Sequence, residues 1–144
     1  MLGHGTPMGL LSVGQFDDRS FVIDDSFSDL LSEKEDNIYM WCHAREFMLY
    51  NHLCGLGTGM FISALEEAHY FDFGDVNWEF IKESNERFAS TVGQYTDETL
   101  EILFDHLTIE YGLLATKNPI ARFNLERLYL NISKSFVDID TFSK

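Results

Sequence analysis

Two cysteines in 144 residues, Cys42 and Cys54, are too few for a disulfide-stapled scaffold. Basic residues are scarce as well. Ten Lys and Arg stand against 24 Asp and Glu, a formal net charge of −14. Phosphate binding needs the opposite sign, so nucleic acid is set aside as a ligand. No apolar run approaches the roughly 18 residues of a membrane span, and no basic-then-apolar leader precedes the fold. The expected setting is therefore a reducing cytoplasm, with no membrane partner. Internal repeats, low-complexity tracts and domain linkers are missing too.

What is present argues for a folded protein. Hydrophobic residues make up 45% and aromatic residues 15% of the chain, enough for one domain over 1–144 with a real core. The stretch Asn37-Ile38-Tyr39-Met40-Trp41-Cys42-His43-Ala44 organises the rest. It reads as a short strand ending in a cysteine, followed at once by a helix over 43–53. In an open α/β sheet, sites are built at such carboxyl ends of strands. A second approach of this kind is Leu2-Gly3-His4-Gly5, with Thr6, Pro7, Met8 and Gly9 as a turn-rich loop after it. Residues 9–16 and 19–24 read as a hairpin around Asp17-Asp18. Ser26 with Asp29 suggests a capping box for a short helix. Gly57-Thr58-Gly59 leads into an apolar run, 60–63, that reads as a further buried strand. Strand, helix, strand predicts a small, mainly parallel sheet with flanking helices over residues 1–70.

Residues 71–134 read as mainly helical, and 135–144 as a tail without a period. Trp78, Ile81, Phe88 and Val92 share one helical stripe, with Asn85 in its middle as a buried hydrogen-bonding residue. Thr96 is the expected cap of the next helix, whose stripe is Leu100, Leu103, Phe104, Leu107 and Tyr111. Asn118-Pro119 opens a third helix with Ala121, Leu125, Leu128 and Ile132 inward.

The order apolar block, His-Gly, spacer, apolar block, Cys resembles the caspase-like cysteine peptidases, the clan of caspases, legumains, clostripain and separase. The blocks here are Met1-Leu2-Gly3-His4-Gly5 and Ile38-Tyr39-Met40-Trp41-Cys42. Gly9, the hairpin, and a following apolar run ending in Ser63 with Glu66 and Glu67 beyond it are also similar. The resemblance covers residues 1–70 and starts at the His-Gly strand, without the strands the family has ahead of it. It departs at Trp41, where the family has glutamine or alanine, so a bulky ring must be placed beside the nucleophile.

The resemblance implies a Cys42–His4 dyad. Cys42 as thiolate attacks a peptide carbonyl, favoured by the helix that follows it, and His4 protonates the departing amine and then activates water. Backbone N–H groups of Gly5 and Cys42 form the oxyanion hole. The pocket for the residue before the cut falls on Ser63, Glu66 and Glu67, whose carboxylates suit a lysine or arginine. No cofactor or metal is required; the partner is a peptide or protein substrate, with a homodimer or a helix from 77–132 covering the edge of the His4 strand. Other readings stand beside this one. Cys42 can be a small buried hydrophobe, His43 a helix-start residue, and His52 with Cys54 lacks a four-ligand zinc spacing. The whole chain can be a non-enzymatic acidic interaction protein (an immunity protein, inhibitor or nucleic-acid mimic) or an inactive caspase-like relative.

Overall fold

The computed structural model describes residues 4–12, 21–132 and 135–138. The chain is mixed α/β, with two small sheets and six α-helices among those residues. Two compact units divide it: Met1–Met60 together with Leu128–Lys144, and Phe61–Arg127.

In the first unit, β1 (Gly5–Thr6) and β2 (Gly9–Leu11) form a tight antiparallel pair across Pro7 and Met8. Thr6 Oγ1 accepts from Met8 N at 3.1 Å and closes that turn. Gly9 has φ +142°, and a Cβ there would lie 2.0 Å from the Ile23 carbonyl oxygen, so only glycine fits. β3 (Phe21–Ile23) pairs antiparallel with β2, as the hairpin reading requires; its turn at Asp17-Asp18 lies outside the described residues. The helix start shifts from Ser26 to Asp24. The Asp24 carboxylate accepts from Ser26 N at 3.0 Å and caps a 3-10 turn, Asp25–Phe27, that runs into α1 (Ser28–Ser32).

The second sheet holds the cysteine strand. β4 (Ile38–Tyr39) lies parallel to β5 (Gly55–Thr58), with α2 (Ala44–Tyr50) as the crossover between them. β6 (Leu128–Ile132) returns antiparallel to β5, and β7 (Ser135–Asp138) antiparallel to β6. The expected mainly parallel sheet is thus corrected: of five strand pairings, one is parallel and four are antiparallel. The physical reason is the long excursion between β5 and β6. Residues 61–127 leave and rejoin the sheet at the paired positions Thr58 and Leu128, and a chain that returns there runs antiparallel.

Glycine makes β5 possible. A Cβ on Gly55 would sit 2.6 Å from the Tyr39 ring, and one on Gly57 would sit 2.3 Å from Met48 Sδ. Those side chains occupy the space a larger residue would need. They belong to a core of Tyr39, Trp41, Ala44, Phe47, Met48 and Leu53, with Leu10, Ile23 and Leu31 packed against it. α2 ends at Tyr50, short of the expected Leu53. Asn51 Nδ2 donates to the Phe47 carbonyl at 3.0 Å, and His52 takes a left-handed φ of 55°, which turns the chain so that Leu53 enters the core.

The apolar run 60–63 is not a strand. The backbone groups of Ile62 and Ser63 are met by side chains of their own unit instead. Asn124 accepts from Ile62 N at 2.8 Å and donates to Ile62 O at 2.8 Å, the bonds a neighbouring strand would otherwise make. Asn85, half-buried rather than buried, donates through Nδ2 to Ser63 O at 2.9 Å and ties helix to loop. Around this clamp stand α3 (Leu65–Tyr70), α4 (Trp78–Tyr95), α5 (Leu100–Ala115) and α6 (Pro119–Leu125). The α5 stripe Leu100, Leu103, Phe104, Leu107 and Tyr111 is buried throughout. Trp78, in the first turn of α4, is 55% exposed and leaves its stripe to Ile81 and Phe88. Thr99, not Thr96, caps α5, because Thr96 still carries helical angles at the end of α4. Asn118 caps α6 with Pro119 at its first position. That helix stops at Leu125; Leu128 and Ile132 pass into β6, where two neighbouring strands take the backbone bonds. Lys117, with Asn118, holds the Glu83 carboxyl below its ordinary range and links α4 to the α5–α6 turn. Among the described residues, no helix is long and apolar enough to cross a membrane.

Asn124 is fully buried and also reaches Ser84 Oγ at 3.3 Å, which in turn meets the Tyr111 hydroxyl at 3.0 Å. Replacing it strands the Ile62 N–H and C=O in a dry interior. Asn124→Ala is expected to lower unfolding free energy by about 2–4 kcal/mol, read from urea denaturation followed by circular dichroism.

Candidate active site around Cys42

Cys42 sits at the turn between β4 and α2. Two donors fix that turn by the Trp41 carbonyl: Thr58 Oγ1 at 2.9 Å, from β5, and Ala44 N at 3.1 Å. Trp41 to Ala44 therefore form a four-residue turn with Cys42 second and His43 third. His43 has φ 67° and ψ 20°, the left-handed geometry that glycine usually supplies at that position. Backbone strain of this kind tends to be kept where a site needs it. The Cys42 side chain is half-buried, and neither Cys42 nor Cys54 is in a disulfide. His43 stands at the start of α2; its Nδ1 is 3.7 Å from Glu46 Oε2, both side chains about 40% exposed, so that contact contributes little. α2 has seven residues, shorter than expected, so Cys42 gains less from a helix field than a longer helix would give.

His4 is exposed and directly precedes β1, its carbonyl accepting from Leu11 N at 2.9 Å. The next residue makes the connection. A Cβ on Gly5 would fall 2.0 Å from Trp41 Cδ1 and 3.0 Å from the Cys42 carbonyl oxygen. Gly5 therefore lies close against the indole, and the His-Gly segment is held against the backbone of Cys42. The Trp41 ring packs into the core. It is 3% exposed and packs edge-on to Tyr39 and Phe47 at 5.7 and 5.4 Å between ring centres. Burial pushes the Tyr39 hydroxyl up to about 12, so this core residue stays neutral under ordinary conditions. β1 pairs with β2, and β4 belongs to the other sheet; residues 1–3, which would carry the strand into His4 and its edge, lie outside the described residues.

Ser63, Glu66 and Glu67 belong to the other compact unit. Glu67 Oε2 accepts from Ser63 N at 2.7 Å, Ala64 N at 3.0 Å and Ser63 Oγ at 3.2 Å, which fixes the start of α3. Glu66, in the same first turn, is exposed.

Sequence reading missed a concavity within the first unit. A pocket of about 440 Å³ is lined by Pro7 and Met8 after β1, Asp25 of the 3-10 turn, and Glu46, Tyr50 and Asn51 of α2. Spacing alone could have signalled Glu46, which lies one helical turn beyond Cys42. Asp25 had no such signal, since only the fold brings it there. Among the described residues, no cluster of three or more His, Cys, Asp or Glu is placed to hold a metal ion. No family model, curated protein or solved structure matches the chain.

Two substitutions test this geometry by thermal and urea unfolding. Gly5→Ala drives a methyl into the indole and is expected to cost about 1–3 kcal/mol, less in a Trp41→Leu background where the ring is gone. His43→Gly relieves the left-handed backbone and is expected to add about 1 kcal/mol of stability.

Proposed function

We propose that the chain is a caspase-like cysteine peptidase that cleaves peptide bonds through Cys42 and His4. The observation that supports this most is the seating of Gly5 against Trp41 and the Cys42 carbonyl, which joins the His-Gly segment to the cysteine turn. In this reading the Cys42 sulfur adds to the scissile carbonyl, and the oxyanion is met by backbone N–H groups at Gly5 and Cys42. The C–N bond then breaks as His4 gives a proton to the leaving amine, and a thioester to Cys42 remains. Water, deprotonated by His4, adds to that thioester and releases the acid and the thiol. Cleavage after lysine or arginine fits the acidic balance of the chain, with Glu66 the carboxylate exposed beyond Ser63 and Glu67 engaged in holding the start of α3. A homodimer across the His4 edge belongs to the same reading.

The second reading, an acidic interaction protein or an inactive caspase-like relative, draws on the net charge of −14. The two separate on thiol chemistry. Cys54 is half-buried like Cys42 and serves as an internal reference. Iodoacetamide or a peptidyl ketone, followed by peptide mapping, is expected to label Cys42 well ahead of Cys54. Cys42→Ala should abolish turnover of a fluorogenic peptide mixture, and His4→Ala should lower kcat/KM by about a hundredfold or more. Equal, slow labelling of both cysteines with no turnover would leave the interaction protein.

A further inference from the structure

The helix α5 is apolar on two faces. Its inner stripe, Leu100, Leu103, Phe104, Leu107 and Tyr111, is buried. Its outer stripe, Ile102, His106, Ile109 and Leu113, repeats at four, three and four residues, the spacing at which one helix meets another. Ile102 is 40%, Ile109 56% and Leu113 66% exposed, so the aliphatic side chains of this stripe are left to solvent. His106 stands between them, its ring stacked on Tyr95 at 3.6 Å between centres, and continues the stripe as a flat aromatic surface. A helix that is apolar on both sides belongs in an interior, and here one side has no cover. Gly112 adds an independent observation. It lies in the interior of α5 beside Leu113, and a Cβ there would meet nothing within 4 Å. Alanine would fit and would hold the helix better, so nothing around it in the free chain calls for glycine. A second helix crossing at Leu113 does call for it, because a bare Cα lets two helix axes come close.

Charge decides what crosses there. At about 3.6 residues per turn, Glu101 and Asp105 run along one flank of the outer stripe and Glu110 along the other. Glu101 and Asp105 are exposed and form no ion pair among the described residues. Arg87 and Lys117 are already engaged, with Glu110 at 2.6 Å and with Glu83 at 3.0 Å, and the last turn of α5 holds no basic residue. A second copy would bring a net charge of −14 against another −14. A two-fold axis would also set the acidic flank on its own equal, and like charges so placed oppose pairing. We infer that the outer face of α5 docks an amphipathic helix of another protein, one whose apolar stripe is flanked by lysine and arginine. Its apolar residues lie on Ile102, His106, Ile109 and Leu113, its backbone comes closest at Gly112, and its cations meet Glu101 and Asp105. Such a helix-on-helix contact takes its affinity from the buried stripe and its choice of partner from the flanks. The docking does not depend on the Cys42–His4 reading.

The test uses the full-length chain carrying Cys42→Ala, so that no peptidase activity consumes the probes. Three synthetic helices of about 18 residues, long enough to cover α5, are titrated at physiological salt by calorimetry and backbone amide NMR. One has leucine at the four-three spacing with lysine on both flanks. The second is its glutamate-flanked counterpart, and the third a scramble of the lysine peptide that keeps the charge and loses the stripe. The lysine-flanked helix is expected to bind about tenfold or more tighter than the other two and to move the amides of Ile102, His106, Ile109 and Leu113. Ile109→Gln with Leu113→Gln should remove that binding with circular dichroism unchanged, since both side chains are exposed. Glu101→Gln with Asp105→Asn should erase the preference for lysine over glutamate flanks. Gly112→Ala separates docking from a structural role: Tm rises, because alanine suits the helix, while the lysine-flanked peptide binds severalfold more weakly. Equal binding of the scramble, shifts confined to residues outside α5, or undiminished binding in the glutamine or Gly112→Ala variants would overturn the assignment. So would a dimer, seen by sedimentation, that Ile109→Gln with Leu113→Gln breaks, because the occupant is then a second copy.

Discussion

The first unit depends on one close approach, the bare Cα of Gly5 against the indole of Trp41. With a Cβ atom 2.0 Å from Trp41 Cδ1, the two segments could not share this space. Everything near Cys42 follows from that contact. The indole needs a wall, and finds it in Tyr39 and Phe47. Tyr39 in turn fills the space that Gly55 leaves open, and Met48 fills the space at Gly57. The Trp41 carbonyl, held by Thr58 and Ala44, sets the direction in which the chain leaves for Cys42. A single large side chain thus aligns the His-Gly segment, the cysteine turn and the neighbouring strand.

The second unit solves a different problem. It is inserted between two adjacent strands, so the chain must leave the sheet and still satisfy its backbone. Asn124, Asn85 and Glu67 do this at Ile62, Ser63 and Ala64 with five bonds of 2.7–3.0 Å. Side-chain amides here take the place of a strand partner. Such bonds carry direction as well as energy, since each amide must present both its oxygen and its nitrogen correctly. Hydrophobic packing of Ile62 with Ala68, Ile81 and Ile120 then buries the clamp.

This contrast explains what could be read from the residues and what could not. The α5 stripe and the Asn118-Pro119 start are local patterns with a period or a fixed offset, and they hold. The strand and helix on either side of Cys42 hold as well, but the next strand is Gly55–Thr58, in the stretch read as a lead-in, and not 60–63. The direction of β6 and the irregular path of residues 60–63 are not local. An apolar run such as Met60-Phe61-Ile62-Ser63 has the same composition whether its amides meet a strand or a buried asparagine. Leu125, Leu128 and Ile132 keep a helical spacing, but pairing with β5 and β7 outweighs it from Leu128 onward. His4, Gly5 and Cys42 could be read as residue types in order, but the seating of Gly5 on Trp41 could not. Asp25 of the neighbouring pocket was not legible at all, because charge on the surface of an acidic chain carries no mark of where a pocket will form.

Trp41 also changes how the departure from the caspase-like pattern is to be weighed. A bulky residue before a nucleophile would be a difficulty if its ring lay over the sulfur. Here the ring points into the core and leaves only its edge to Gly5. Its Nε1 is buried without a hydrogen bond among the described residues, a cost of about 1–3 kcal/mol that a phenylalanine would not carry. Gly5 meets Cγ and Cδ1 of this ring, and Cδ1 is bonded to the unsatisfied Nε1. The unsatisfied indole nitrogen and the absent side chain of Gly5 are therefore two sides of one arrangement. It spends some stability to hold a histidine-bearing segment beside a cysteine turn that is itself strained at His43. Fold stability alone would favour the opposite choice at each of these positions, which is why the cysteine turn is the place to look for chemistry.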